Sequence, residues 1–283
     1  MTEAAEIALW RHLFGQICVD MGEILIRSAF SANIKERRDC SCALFTKSAR
    51  LFAQAPHIPV HLGAMGDAVS GILAAFALSD GDVAITNDPF RGGTHLPDIT
   101  LTAPLFHRRK PLFFIANRAH HADIGGSSPG SMASASTIHQ EGLIIPPLLL
   151  VEKGRLRADI MQLICTNSRM PDERRRDIDA QLAAINYARA RLEELVRRHG
   201  ADRLLSAAEE QIDYTRRYTK SLIQKVPEKP HRFRDFIETE EGPAAICVTL
   251  WREGSRLVLD FGGSSPQVGE GINATAAVTR SCV

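Results

Sequence analysis

Three short stretches of the chain gather side chains that can bind a cation or move a proton: Glu36-Arg37-Arg38-Asp39, His95-Leu96-Pro97-Asp98 and His120-His121-Ala122-Asp123. The last two join imidazole and carboxylate. Mixed His and Asp donors make a nitrogen/oxygen site, which suits zinc, manganese, iron or cobalt. Both stretches lie at edges of predicted strands, where a rigid scaffold holds loop residues in place. Singly, each reads equally well as a capped turn. Together, with Gly92-Gly93 and Gly125-Gly126 beside two of them, they point to one shared site. Successive strand residues face opposite ways, so His120 and His121 cannot easily serve the same ion. One is a donor and the other a core or supporting residue. The pattern does not choose between them, because both faces of that strand begin apolar.

Other candidates are weaker. His57 and His61 are four apart, but Pro59 between them argues against a regular helix. Both read as structural residues or as supports behind a site. His139-Gln140-Glu141-Gly142 reads as a surface turn that could line a cleft, and His12, His107, His199 and His231 as surface residues. Cys40 and Cys42 form C-x-C without a second pair at zinc-finger spacing, so reduced thiols are expected rather than a structural zinc site. There is no G-x-x-x-x-G-K-[ST] loop, no G-x-G-x-x-G after a strand and no G-x-S-x-G elbow. Phosphate binding and a serine nucleophile have no visible home here.

The elements that must position these residues follow from periodicity. Residues 4–30 carry apolar side chains at three- and four-residue steps, an amphipathic helix. Short strands at 42–46 and 50–53 flank Lys47-Ser48-Ala49, and a helix spans about 62–76. Asp80-Gly81-Asp82 turns the chain into a strand at 83–85. The Gly/Pro loop 86–98 leads to strands at 99–106 and 112–119. A Gly/Ser loop covers 124–136, and 143–151 reads as a strand interrupted by Pro146-Pro147. Helices at 172–199 and 202–224 form a hairpin, with a β-hairpin at 244–250 and 256–261. The expected fold is mixed α/β: an N-terminal helix, a strand-rich metal-binding core, a helical hairpin, then the start of a further β region. The corresponding parts are residues 1–166, 167–226 and 227–283.

Bulk properties narrow the function. With 45% apolar and 24% charged residues the chain has material for a sizeable core. A formal net charge of +1 supplies no field to attract nucleic acid or an anionic membrane. The basic runs Arg174–Arg176 and Arg197–Arg198 read as a solvated helix face. No run approaches the ~20 apolar residues of a spanning helix. The N-terminus has Glu3 and Glu6 and no basic region before an apolar stretch, so a cytoplasmic location is expected.

Several ordered segments resemble the hydantoinase B/oxoprolinase family: ANIKERRDCSCALF, HIPVHLGAM, GDVAITNDPFRGGTHLPDITLTAPLF, ANRAHHADIGGSSPGSM, TNSRMPDERRRDIDAQLAAINYARARLEEL and DFGGSSPQVGEGINATAAVTRS. The resemblance runs from about residue 20 to the last. It implies a divalent metal held by Asp39, His95, Asp98 and His120, with His121 and Asp123 as catalytic helpers that orient a ligand or shuttle a proton. It also implies an A-type partner subunit that binds ATP and phosphorylates a cyclic amide, so a hetero-oligomer. The hydrolase reading is a hydantoinase or 5-oxoprolinase type. The alternatives are a subunit of an ATP-dependent ketone carboxylase, or an inactive truncated fragment, since family chains continue past the segment equivalent to NATAAVT. His139 replaces an aromatic residue expected before Gln-Glu-Gly.

Overall fold

A computed structural model describes residues 3–56, 58–131 and 135–283. The helices are α1 (Glu3–Ser28), α2 (Ala32–Lys35), α3 (His61–Ala75), α4 (Ile138–Glu141), α5 (Ala158–Thr166), α6 (Pro171–His199), α7 (Ala201–Ile223) and α8 (Ala276–Ser281). The strands are β1 (Cys40–Thr46), β2 (Leu51–Pro56), β3 (Val83–Thr86), β4 (Asp98–His107), β5 (Lys110–His120), β6 (Leu148–Glu152), β7 (Arg155–Leu156), β8 (His231–Ile237), β9 (Ala244–Glu253) and β10 (Arg256–Asp260). The first seven strands form one antiparallel sheet in the order β2-β1-β5-β4-β3-β6-β7, and the last three form a second, β10-β9-β8.

Strand alternation gives the large sheet two apolar faces. On one, Leu44, Leu101, Phe113 and Ile115 pack with Trp10, Phe14 and Met21 of α1 and Ile178 and Ile185 of α6. On the other, Ala43, Phe45, Ala84, Phe114 and Ala116 pack with Met65, Val69 and Ile72 of α3. The sheet is thus sandwiched between helices, and the mixed α/β class expected from the periodicity is what the chain adopts. Because side chains alternate, each residue's position in its strand decides which helix layer it meets. That rule governs the site.

Two local readings need correction. The strand expected over 143–151 begins only at Leu148: Pro146 and Pro147 have no N–H for the ladder, and the Ile145 N–H donates instead to Asn87 Oδ1 at 2.7 Å. Arg174 is fully buried, not solvated. It lies on the face of α6 that carries Ile178 and Ile185, and its Nη2 is 3.1 Å from Asp177 Oδ2 and 3.3 Å from Glu173 Oε1. Helix α5, strand β8 and helix α8 form in stretches to which the periodicity assigns no element. Thr275 caps α8, its side chain accepting from the Val278 N–H.

Candidate metal centre

The site is a row across one end of the large sheet. Asp98 opens β4 and is the register partner of His120, the last residue of β5. On the other side of β5, β1 begins at Cys40 opposite Ala119, and the His120 N–H donates to the Asp39 carbonyl at 3.0 Å. Cys40 and Ile99 face the α1/α6 layer, so alternation turns Asp39, Asp98 and His120 to the α3 side. Facing side chains on adjacent strands stand about 5 Å apart at Cβ, close enough to converge on one small ion. His95 reaches in from the loop that precedes β4. Its backbone carbonyl accepts from the Asp98 N–H, closing a tight turn that brings the two side chains together.

The distances are short. Asp98 Oδ1 lies 3.0 Å from His120 Nδ1 and 3.2 Å from His95 Nε2, and the two ring nitrogens are 3.1 Å apart. His95 Nε2, His120 Nδ1 and an Asp98 oxygen all fall within 4.8 Å of one another. Asp39 Oδ2 is 3.9 Å from His120 Nδ1. Asp98 is buried, whereas the His95 side chain stays 33% exposed, so the cluster opens to solvent on the His95 side. Burial pushes the Asp98 carboxyl up, but hydrogen bonds from His120, His61 and His95 outweigh it and hold the group well below the usual carboxylate range. Burial lowers His95, and the adjacent Asp98 and Asp39 carboxylates outweigh it to raise the imidazole.

These residues fit a divalent cation. The donor set is two imidazoles and two carboxylates, the mixed nitrogen/oxygen chemistry of zinc and its neighbours. His95 Nε2 and His120 Nδ1 are 3.1 Å apart, close enough for both to reach one small cation. Asp39 Oδ1 is buried and lacks a hydrogen-bond partner, an acceptor that wants positive charge. Burial pushes the Cys40 thiol up to about 12 and the Cys42 thiol well above the usual thiol range, so both are neutral.

The remaining predicted residues sit elsewhere. His121 turns to the α6 side, where its Nε2–H donates to Gln181 Oε1 at 2.9 Å. Burial, reinforced by nearby Arg174, keeps its pKa well below the usual imidazole value, so the ring is neutral. Asp123 anchors the Gly/Ser loop: its carboxylate accepts from the Gly125 N–H, the Ser168 hydroxyl, and the Arg169 N–H and guanidinium. Arg169 also donates to the Gly126 carbonyl. These contacts line a cleft of about 740 Å³ with Gly125, Gly126, His139, Leu143, Asn167 and Arg169. His139 therefore borders a cleft rather than a plain surface turn.

One residue expected to be structural or a support behind a site stands close to the cluster. His61, the first residue of α3, is buried, and its Nε2 lies 3.3 Å from Asp98 Oδ2 and 3.8 Å from Asp39 Oδ1. Pro59 lies ahead of the N-cap Val60, so the helix starts after it, as its presence led one to expect. His57 lies outside the described residues. Among the described residues no helix is long and apolar enough to cross a membrane.

Comparison with known proteins places this arrangement among relatives. The hydantoinase B/oxoprolinase family model matches residues 3–283. An uncharacterized protein of Methanocaldococcus jannaschii is 36% identical over 93% of this chain and 48% of its own length. The 5-oxoprolinase 1 of Arabidopsis thaliana is 36% identical over 100% of this chain and 25% of its own. Among solved structures, the ATP-dependent caprolactamase of Pseudomonas jessenii superposes with a TM-score of 0.92 at 27% identity, covering 99% of this chain and 49% of that one. The chain thus spans half or less of the length of these relatives.

Proposed function

The chain belongs to the hydantoinase B/oxoprolinase family, and from that premise we propose that it is the metal-binding, B-type part of an ATP-dependent cyclic amidohydrolase. The observation that carries the reading is the convergence of His95, Asp98 and His120 beside Asp39 at the open end of the sheet. Asp39, His95, Asp98 and His120 are the proposed ligands of a divalent ion, zinc, manganese, iron or cobalt. When bound, such an ion supplies Lewis acidity toward the substrate oxygen and an activated water.

The chain's own groups prepare that chemistry. His95, the most exposed of the cluster, marks the side from which a ring amide enters. Asp123 and Arg169 fix the Gly/Ser loop that walls the neighbouring cleft. His121 braces the end of β5 against Gln181 and so orients His120. In this role His121 and Asp123 position the ligands and the substrate loop. Residues 1–166 form the metal-binding core, 167–226 back it as a helical hairpin, and 227–283 add a β segment. ATP belongs to an A-type partner, which activates the ring by phosphorylation. The names of the plant oxoprolinase and the caprolactamase support a cyclic amide as substrate class.

The test is metal analysis of the protein purified with its A-type partner, followed by ATP-dependent ring opening of hydantoin, 5-oxoproline and caprolactam. ATP-dependent carboxylation of acetophenone without ring opening would favour the carboxylase alternative. An Asp98→Ala variant that kept full metal content and full turnover would sink the ligand assignment.

A further inference from the structure

Each of the two carboxylates in the cluster has a front and a back. Asp98 presents Oδ1 to His120 and His95, and Oδ2 to His61 at 3.3 Å and to the Thr94 hydroxyl. Asp39 presents Oδ2 to His120 at 3.9 Å and Oδ1 to His61 at 3.8 Å. One imidazole nitrogen therefore stands behind the Asp98 carboxylate, with Asp39 farther off. The other nitrogen of that ring, Nδ1, is 3.0 Å from Ser41 Oγ, a buried hydroxyl on the same sheet face of β1.

From this division we infer that His61 is a positioning residue for the metal centre, fixing the rear oxygen of Asp98 so that its front oxygen faces the ion. The inference rests on the metal reading above. Nε2 faces a carboxylate oxygen, which can only accept, so Nε2 donates, while Nδ1 pairs with the Ser41 hydroxyl. Ser41, His61 and the Asp98 carboxylate make one hydrogen-bonded row. A metal ligand's unused oxygen held in this way cannot swing, which preorganises the site. His61 as a ligand is disfavoured by its place on the far edge of the Asp98 carboxylate from His95 and His120.

The scaffold fixes the ring firmly. His61 begins α3, whose Met65, Val69 and Ile72 pack on the sheet. Two residues on, the Gly63 N–H donates to Ser281 Oγ of α8 at 3.0 Å, which pins the first turn of the helix.

The test uses Co²⁺ as a spectroscopic probe, titrated into the metal-free chain in competition with a chromophoric chelator. His61→Leu is expected to weaken Co²⁺ binding about 10- to 100-fold while leaving the visible bands in place. His61→Gln, whose amide can donate from nearly the same position, is expected to recover much of that loss. Ser41→Ala is expected to lose less than His61→Leu, and it carries the test if the leucine variant does not fold. Unchanged affinity in His61→Leu, or in Ser41→Ala where that variant stands in, overturns the inference. A shifted Co²⁺ spectrum with no rescue by glutamine also overturns it, by making His61 a ligand. If the wild-type chain binds no Co²⁺, the metal reading itself has failed and the inference falls with it.

Discussion

His120 and His121 are neighbours in the chain and work on opposite sides of one sheet. His120 Nδ1 meets Asp98 Oδ1 at 3.0 Å on the α3 side, and His121 Nε2 meets Gln181 Oε1 at 2.9 Å on the α6 side. The Gln181 amide in turn donates to the Ile99 carbonyl and to Asn117 Oδ1, both at 3.0 Å. One residue of backbone thus joins an open polar cluster to a closed polar network inside the core.

This arrangement predicts a clean split between two alanine variants. His120→Ala is expected to lose bound metal with a modest change in stability. His121→Ala is expected to weaken metal binding far less than His120→Ala does, but to lose about 2–3 kcal/mol of stability, because Gln181 Oε1 is left buried without its donor. Metal content and urea unfolding, measured on both variants, check the split. Equal metal loss in both would contradict it.

The sequence made some of this legible and hid the rest for physical reasons. Strand parity correctly separated His120 from His121, since alternation is a local property of the backbone. Asp98 and His120 were recognisable as residue types at strand edges. His61 was legible only as a structural residue or a support, because its neighbours Asp39 and Ser41 at the start of β1 and Asp98 at the start of β4 meet the helix start only in the folded sheet. Helix α8 has six residues, too few to be stable alone, and its packing on α3 has no local signature. Arg174 was misread because a charge run gives no hint that one member turns inward to meet Asp177.

Asp123 predicts an acid dependence of stability. Burial pushes its carboxyl up, but N–H donors from Arg169 and Gly125, the Ser168 hydroxyl and the Arg169 guanidinium outweigh it, so the folded-state pKa is lowered. The stability it contributes is fully present above the unfolded value of about 3.9 and is lost as pH falls through the lower folded value. Asp123→Asn is expected to cost about 1–3 kcal/mol at neutral pH. The gap to wild type should then narrow as pH is lowered toward about 3. Chemical denaturation across that range checks it; a constant gap would mean that the carboxylate charge is irrelevant to the loop.

Arg174 predicts a large stability loss with no direct effect on the metal. Its guanidinium is fully buried against Asp177, whose Oδ1 accepts from the Phe30 and Ser31 N–H groups. Arg174→Ala leaves Asp177 as an uncompensated buried charge and is expected to cost about 3–5 kcal/mol. Adding Asp177→Asn should recover part of that loss, since the amide oxygen still accepts from the backbone and the charge is gone. Thermal unfolding of the single and double variants decides, and strict additivity of the two losses would reject the pairing.

Gly63 predicts that the start of α3 depends on α8. A Cβ at this position would stand 2.8 Å from the Ser281 nitrogen and 2.9 Å from the Arg280 carbonyl carbon, both backbone atoms that cannot swing aside. Arg280 also pairs with Asp67 of α3 at 2.7 Å. Gly63→Ala must therefore push α8 off or tilt the first turn of α3, and overpacking of this kind costs about 1–3 kcal/mol. Ordinarily alanine stabilises a helix relative to glycine by about 1 kcal/mol, so the sign of the change is diagnostic. The expected outcome is a lower melting temperature and faster amide exchange in residues 276–281. Because His61 lies two residues upstream, Co²⁺ binding should weaken in parallel. A Gly63→Ala variant with raised stability and unchanged exchange in α8 would show that the two helices are not tightly docked.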